Sequence, residues 1–500
     1  MAEIVKVGQR MARYSSYVPT VIQTYLPAWL AQQQAALAVD PYLRGEHPLP
    51  VSSNSQSTQE REALRRLAAT PFGRVILNST TQALNVRGVR MPGSDEVPQV
   101  WRDFWLRNKM VARQNAIWRP AIGYGQGYTS VLPGQLGINA EDGMVIRNYT
   151  PKTMTAFFNE TWDEYPAIAL NGIEQRDERG QPYWLFEVFD EEAVHYAYVH
   201  EIQLGAPSKD TKITYLESRP HDAGVTPIVY HTPLVDDDGG SRGEILPFLP
   251  IIQRLDQSVY DRLLIQRQAA WKVRTASGVK KPTSSTAAAS LEAKMKAGDL
   301  LTSDDPSTKF GTLDASSMLE HVETRNSDLR DLATASQTPA YMFTGEESNL
   351  QPEALAAISS GYQQRIEQNK RALGMSVEKV FDLAMHQDAS LGEPESGLEI
   401  RWAEFRPYSL TQISDALGKL AQQLEISPDL LYEYVPFMTD DDVERAIEKR
   451  EEAKDEALAM AQAEAAQAAQ RSGADPTADP KAQRAREKGV AGDAGQNGRS

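Results

Sequence analysis

The sequence predicts an α+β fold, and two contrasting patterns carry that prediction. Between residues 123 and 230, short stretches rich in β-branched and aromatic residues alternate with turn signals, which is typical of an antiparallel sheet. After residue 240, apolar residues recur every three or four positions, which is typical of amphipathic helices. A chain of 500 residues is long enough for roughly two to four structural units.

The helical part has a distinctive order. The stripe Ile245, Leu249, Ile252, Leu255 predicts a first helix, and a compact insert and a second helix follow it. A loop then leads to a longer helix, one extended piece and a helical unit. The predicted elements are a helix over Pro247–Trp271, an α+β insert over 273–317, a helix over Met318–Ser336, a loop over Gln337–Gln351, a helix over Pro352–His386, an extended piece over Leu398–Trp402 and a helical unit over Leu410–Lys449.

The N-terminal half is predicted to begin with a short helix and a proline-rich connection and to continue into the sheet. Asn171-Gly172 is interpreted as a turn between strands. The predicted strands are Tyr128–Leu132, Met144–Tyr149, Thr153–Phe158, Tyr183–Phe189, Val194–Val199, Lys212–Leu216 and Ile228–His231.

Composition limits the possible functions. The net charge is −16, and an acidic chain lacks the excess of Lys and Arg that usually grips the phosphate backbone of DNA. Zero cysteines exclude disulfides, thiolate metal ligands and cysteine nucleophiles. No apolar run approaches the ~18–20 residues that span a bilayer, and the N-terminus is unlike a secretory signal. We therefore expect a protein of the cytosol, or of a particle assembled there, without membrane contact.

No motif predicts catalysis, a cofactor or a metal. The glycines of Gly123-Tyr-Gly-Gln-Gly127 follow a predicted helix and precede a strand, which is the reverse of a dinucleotide-binding site. No P-loop occurs. The stretch Asp236–Glu244 does not have the spacing of a calcium loop and is interpreted as an exposed acidic turn.

Several short motifs, in their order along the chain, resemble phage portal proteins of the SPP1-like family. Gly239-Gly-Ser-Arg-Gly-Glu-Ile245 is similar to the Gly-x-Ser-Glu-Ile that opens the first stem helix in that family, although Arg242 and Gly243 displace the Glu by two positions. Asn349-Leu-Gln-Pro-Glu-Ala-Leu355 is similar to the opening of the family's long helix, with Gln351 where Ser is usual.

Other matches are shorter, and together the resemblance covers about residues 40–445. These are Tyr42-Leu-Arg-Gly45-Glu-His47, Asn78 with Gly88, Trp101 with Asn108 and Gly127-Tyr128, and Ala333-Thr-Ala-Ser-Gln-Thr-Pro339 followed by Met342-Phe-Thr-Gly345.

The resemblance implies a portal-type fold with a β-containing wing, two stem helices, a small α+β clip, a long helix and a helical crown. The implied division is 1–240 for the N-terminal region and wing, 241–272 for the first stem helix, 273–317 for the clip, 318–337 for the second stem helix, 338–351 for the tunnel loop, 352–407 for the long helix and wing return, 408–450 for the crown and 451–500 for a disordered tail.

It also implies a function without catalysis. A homo-oligomeric ring of twelve subunits would sit at one capsid vertex of the virion after assembly in the host cytoplasm. Double-stranded DNA would pass through it non-specifically during packaging and ejection. The implied protein partners are the terminase large subunit, the head–tail adaptor, the major capsid protein and the scaffolding protein.

Two sets of residues are expected to act in that ring. The channel loop, Glu346, Glu347, Ser348 and Asn349, has no Lys or Arg, so we expect it to form a constriction that repels the duplex. The clip is rich in basic residues, which could pair with acidic partner surfaces or with entering DNA. Its candidate partner-facing residues are Lys272, Arg274, Lys280, Lys281, Lys294 and Lys296.

Two alternatives remain at this point. One is another capsid-associated structural protein, such as a minor head or adaptor protein. The other is a metal-dependent nuclease that uses the cluster Asp236–Asp238.

Overall fold

The protein is seen in a computed structural model that divides into two compact units, Met1–Ala403 and Glu404–Ser500. The structure describes residues 2–47, 59–93, 97–135, 142–160, 162–177, 179–199, 212–233, 241–270, 274–277, 309–312, 318–345, 359–394, 397–403, 410–424, 426–435, 438 and 440–472.

Helices dominate both ends of the described chain. The α-helices are α1 (Ala2–Arg44), α2 (Gln59–Ala68), α3 (Phe72–Ala83), α4 (Met110–Arg113), α5 (Asn115–Tyr124), α6 (Leu249–Ala270), α7 (Met318–Ala335), α8 (Tyr341–Thr344), α9 (Ser360–Gln387), α10 (Leu410–Gln423), α11 (Pro428–Leu431) and α12 (Asp440–Ser472). A π-helix spans Trp101–Leu106, and short 3₁₀ turns span Leu246–Phe248, Ala389–Leu391 and Tyr432–Tyr434.

The strands of the described residues form four antiparallel sheets. They are β1 (Val86–Arg90), β2 (Gly127–Gly134), β3 (Gly143–Tyr149), β4 (Met154–Phe157), β5 (Ile168–Arg176), β6 (Pro182–Phe189), β7 (Ala193–Val199), β8 (Ile213–Pro220), β9 (Ile228–His231), β10 (Arg274–Ser277), β11 (Lys309–Thr312) and β12 (Glu399–Trp402). Their orders are β1-β12, β10-β11, β3-β2-β9 and β4-β5-β6-β7-β8.

Helix α1 is far longer than the sequence predicts. The proline-rich stretch was expected to interrupt it, yet the helix continues to Arg44 with Pro19, Pro27 and Pro41 inside. Each proline removes one helical hydrogen bond, but an apolar face that includes Ile22 and Trp29 packs against the five-stranded sheet. That burial explains why tertiary packing overrides the local break.

The two larger sheets share a second apolar layer. Side chains of the five-stranded sheet, such as Phe189, pack against Tyr128 and Ile228 of the three-stranded sheet. The five-stranded sheet is therefore covered by α1 on one face and by the three-stranded sheet on the other.

The turn predicted at Asn171-Gly172 is wrong, because both residues lie inside β5 and pair with β6. A Cβ atom at Gly172 would lie 2.6 Å from Cζ2 of Trp29 and 2.9 Å from Cε1 of Phe186. The glycine is therefore needed for close packing of α1 on the sheet and not for a turn.

The main core of the first unit surrounds α9. Phe381, Val377 and Leu373 are buried together with Trp105 and Trp118 of the segment before β2. The strand pair β1-β12 closes this core, with Val89 opposite Ile400. The tryptophans are therefore core residues. Helix α9 is the element against which α6 and the three-stranded sheet pack.

In the second unit, α12 continues through Ser472. The sequence allows a helix over Ala457–Gln470 within the tail, and α12 covers this stretch; the disorder predicted for the rest of the tail does not hold for 451–456 and 471–472. Alanine and glutamate are strong helix formers, and this stretch is rich in both. An ion pair of 2.5 Å between Arg450 and Asp429 ties α12 to α11.

The mixture of helices and antiparallel sheets confirms the predicted α+β class. Within the described ranges, no helix is both long and apolar enough to cross a membrane.

Candidate functional site

Helices α6 and α7 form an antiparallel pair joined by ion pairs. Arg254 lies 2.8 Å from Asp328 and 2.7 Å from Asp331, and Ser258, one turn later, donates to Asp328 at 3.1 Å. The insert 271–317 connects the two helices, and its described part is the strand pair β10-β11. This is the order helix, insert, helix that the sequence predicts.

The charge along this helix pair changes toward the insert. Arg262 and Arg325 follow one turn beyond the ion-paired residues. Burial, together with the charge of Arg262, lowers the pKa of Arg325. Near the core, Asp328 and Asp331 therefore balance the charge of Arg254. On the insert side, Arg262 and Arg325 lie near each other.

A buried carboxylate fixes α6 to the N-terminal segment. Asp256 is completely buried; the backbone N–H of Thr70 donates to it at 2.8 Å and the hydroxyl of Thr70 at 2.6 Å. His47 Nε2 lies 2.6 Å from the other carboxylate oxygen, and Tyr42 stacks on the His47 ring at a centroid distance of 4.1 Å. The motif Tyr42-Leu-Arg-Gly45-Glu-His47 therefore serves as the anchor of α6.

The backbone of the segment that opens α6 packs directly against the backbone at the end of α5. A Cβ atom at Gly243 would lie 2.1 Å from the carbonyl oxygen of Gly123, and one at Gly125 would lie 2.4 Å from the carbonyl carbon of Arg242. A side chain at Gly125 or Gly243 would therefore collide with the facing backbone. These two glycines are packing residues.

Glu244 joins this segment to α9 and α3. Its backbone N–H donates to Ile122 at 2.9 Å, and Asn369 donates to its carboxylate at 2.7 Å. Thr80 lies 3.5 Å from the other carboxylate oxygen. The acid of the Gly-Gly-Ser-Arg-Gly-Glu motif thus holds the start of α6 against the long helix.

Arg365 of α9 holds the end of α7. Its guanidinium donates to the carbonyl oxygen of Ser336, and to the hydroxyls of Thr80 at 3.0 Å and Thr338 at 3.5 Å. It also lies over the ring of Tyr362, 5.4 Å from the centroid. One side chain of α9 therefore fixes the point where the chain leaves α7.

The chain between α7 and α9 turns sharply twice. Gln337 has a φ of 50° and Gly345 a φ of 67°, both in the left-handed region. These turns end α7 and α8, and because α8 lies inside the loop predicted over Gln337–Gln351, that prediction is wrong for Tyr341–Thr344. The point where the chain enters the predicted tunnel loop is thus held by Arg365.

Most of the predicted site residues cannot be placed. The channel-loop residues Glu346, Glu347, Ser348 and Asn349, and the clip residues Lys272, Lys280, Lys281, Lys294 and Lys296, lie outside the described residues. Arg274 begins β10 opposite Thr312. Their roles stay predictions.

Sequence reasoning missed Asp256 and Arg365 as functional candidates. Asp256 offered one signal, since it lies between Leu255 and Val259 on a face otherwise apolar. A carboxylate on a buried face requires hydrogen-bond donors from elsewhere. Arg365 carried no such signal, because its acceptors are distant in sequence.

A chain of hydrogen bonds from Ser218 through His195 to Asp190 was not predicted either. His195 Nδ1 lies 2.6 Å from the Ser218 hydroxyl, and Nε2 lies 2.8 Å from Asp190. Because His195 is completely buried and Ser218 also contacts the Tyr215 hydroxyl at 2.7 Å, the chain joins β7 to β8 within the sheet. Its position fits a structural network.

The described residues contain no cluster of His, Asp and Glu that could hold a metal ion. The stretch Asp236–Asp238, the candidate nuclease cluster, lies outside them.

Two antiparallel helices around an insert, followed by a long helix, are in the order that the portal resemblance implies. The sequence profile of the family described as "Phage portal protein, SPP1 Gp6-like" matches residues 23–465. The chain belongs to this family of phage portal proteins, whose members are structural components of the capsid.

Two solved structures are similar to the chain over most of its length. One is described as "Neck of empty GTA particle computed with C6 symmetry", with 13% identity, a TM-score of 0.41 and coverage of 77% of this chain and 95% of that chain. The other is described as "Virion of native gene transfer agent (GTA) particle", with 11% identity, a TM-score of 0.40 and coverage of 80% and 95%. Among curated proteins, none matches the chain.

Proposed function

We propose that the chain is the subunit of a portal ring, a head–tail connector at one capsid vertex through which double-stranded DNA enters and leaves. The observation that carries this proposal is membership in the portal family over residues 23–465. The order of α6, insert, α7, loop and α9 supports it, because it places a pair of helices and a loop in each subunit of a ring. In the family the ring has twelve subunits, and we propose the same number here.

Electrostatics suits a channel that lets DNA slide. Strong phosphate contacts would act as a brake, whereas an acidic subunit repels the duplex and keeps it centred. The net charge of −16 and the acidic loop Glu346-Glu347 fit this requirement. The contact of Arg365 with Ser336 would give the loop a fixed starting point.

The insert 273–317, with its predicted basic residues, would dock the terminase large subunit during packaging and the head–tail adaptor afterwards. The major capsid and scaffolding proteins would contact the ring as it is built into the capsid vertex in the host cytoplasm. No cofactor or catalytic group is proposed.

Charge reversal in the loop tests the channel. Because a basic loop would bind phosphates, Glu346→Lys/Glu347→Lys is expected to reduce DNA packaged per particle by about tenfold or more while rings still assemble. Packaged DNA is measured by nuclease protection, and ring assembly by native mass spectrometry. The matched control, Glu451→Lys/Glu452→Lys, makes the same charge change on an exposed part of α12. Equal packaging in both variants would contradict the proposed loop, and loss of the ring would mean that the loop is structural.

A nuclease assay with magnesium or manganese separates the remaining enzymatic alternative. We expect no cleavage. Cleavage that disappears in Asp236→Ala/Asp238→Ala would contradict the proposal.

A further inference from the structure

Trp162 is the most exposed large apolar side chain of the first unit's described residues, at 79%. It lies in the loop between β4 and β5, and we call residues 159–160 and 162–164 the acidic tryptophan loop because they include Glu160, Asp163 and Glu164. The backbone N–H of Glu160 donates to Asp163 at 2.9 Å, which holds the loop in a tight turn. An exposed tryptophan on a held loop is typical of an anchor for a protein partner.

The surroundings of this loop are crowded with negative charge. Burial raises the pKa of Glu378 on α9, and the charges of Asp382 and Glu164 raise it further, whereas the charge of Lys379 lowers it. Carboxylates that disfavour one another's ionisation would be stabilised by a basic partner. The chemistry that suits this surface is therefore apolar at its centre and basic at its rim.

The same chain carries such a surface. Residues 102–113, which we call the basic turn, expose Leu106 and Val111 at 42% and 53%. Around them are the exposed bases Arg102, Arg107, Lys109 and Arg113, with Asp103 as the one acid. This is a strongly basic stretch in a chain whose net charge is −16.

The basic turn is built rigidly. A π-helix over Trp101–Leu106 precedes it, and Lys109 has a φ of 56°, which a side-chain-bearing residue rarely adopts. Buried Asn108 holds this shape by donating to Met144 at 3.0 Å and accepting from Ile146 at 2.9 Å. The unusual backbone thus presents Leu106 and Val111 outward while Phe104 and Trp105 fill the core.

The two surfaces lie at opposite edges of the three-stranded sheet β3-β2-β9. Asn108 attaches the basic turn to β3. At the other edge, Phe158 beside the acidic tryptophan loop packs on Tyr230 of β9, with ring centroids 5.6 Å apart. Complementary surfaces on opposite sides of one subunit produce head-to-tail contacts, which close into a ring when the rotation allows it.

We propose that the acidic tryptophan loop of one copy docks on the basic turn of the next copy, with Trp162 packed against Leu106 and Val111. This contact rests on the proposed portal function, since it requires neighbouring copies in a ring. Charge complementarity selects a second copy as the partner, and the opposite positions on the sheet give the contact its direction.

Cross-linking through introduced cysteines tests the contact, because the chain has no cysteine of its own. On oxidation, assembled Trp162→Cys/Val111→Cys is expected to give covalent chains of many subunits on a denaturing gel. The single variants are expected to give none. Leu67→Cys/Val111→Cys is the matched control, because Leu67 is 70% exposed but lies on α2.

A charge exchange provides a second measurement. If the residues had only a structural role, the reciprocal charge reversal would not restore assembly. Arg102→Glu/Lys109→Glu is expected to raise the concentration for half-assembly by about tenfold or more. Adding Glu160→Lys/Glu164→Lys is expected to restore assembly. Circular dichroism checks that the variants are folded, which the exposure of all four residues favours.

The outcomes separate this contact from the portal function. If wild-type rings form but the control cross-links as well as the test pair, or the charge exchange gives no rescue, the contact is wrong and the ring stands. If the wild-type chain forms no ring, both are wrong.

Discussion

Helices α6 and α12 are both long and charged, but they are stabilised in opposite ways. Helix α6 buries Asp256 completely and satisfies it with His47 and Thr70 from the N-terminal segment. Helix α12 is exposed at every residue from Glu451 to Glu464. The position of α6 therefore depends on tertiary contacts, whereas the helical state of α12 over this stretch depends on its own residues. The proposed role of α6 as a stem helix of a DNA channel would require the first kind of support.

Removal of the buried carboxylate of Asp256 should have the largest effect on the stability of the first unit. Asp256→Ala leaves the imidazole of His47 and the donors of Thr70 buried without their acceptor, so we expect a loss of about 3–5 kcal/mol in the free energy of unfolding of the first unit. Asp331→Ala removes a carboxylate of the same helix pair that is 58% exposed, and we expect about 0–1 kcal/mol. Urea unfolding measures both. Similar losses would mean that the buried anchor has no special role.

Acid should weaken the first unit through His231. Burial lowers the pKa of His231 from 6.5 to about 3, and both ring nitrogens contact hydroxyls, of Ser376 and Thr129, at 2.7 Å. The unfolded chain binds the proton more readily, so stability is full above pH 6.5 and falls as the pH drops toward 3, by about 1.4 kcal/mol per unit. Unfolding at pH 4.5, 5.5 and 6.5 measures the slope. His231→Gln should flatten it, and an unchanged slope would assign the effect to other groups.

Arg365→Lys should have a smaller effect. Lysine keeps the charge but cannot reach Ser336, Thr338 and Thr80 together, so we expect a loss of about 1–2 kcal/mol. Arg371→Lys is the control, because Arg371 is exposed on the same helix. Hydrogen exchange at residues 336–345 should increase in the first variant alone. Equal exchange in both variants would show that Arg365 does not hold this end of the loop.

Glycine in α12 should have the smallest effect on the first unit. Ala461→Gly is expected to destabilise the helix locally by about 1 kcal/mol. Because α12 is exposed there, the unfolding transition of the first unit should be unchanged. Circular dichroism and urea unfolding check the two parts. A shifted transition of the first unit would show that α12 supports it.

The same contrast explains what the sequence predicted well. The stripe at Ile252, Leu255 and Val259 predicted α6, because the buried face of an amphipathic helix appears in the sequence as apolar residues three or four positions apart. Strands such as β2 and β7 were predicted from β-branched and aromatic residues for the same reason. Local sequence is informative wherever burial is periodic.

The failures share a cause as well. Pro41 and Gly172 carry strong local signals for a break and a turn, but each lies in a regular element because of a distant partner. The ring of Trp29, more than a hundred residues away in the chain, leaves no room for a Cβ atom at residue 172. The site shows the same limit, since nothing near Arg365 in the sequence indicates that it contacts Ser336.

Electron microscopy of the purified full-length chain tests the central claim most directly. We predict end-on views of a closed ring of twelve subunits with a central channel, bounded by the paired helices α6 and α7. A monomer, an open filament or a closed shell without a channel would contradict the account.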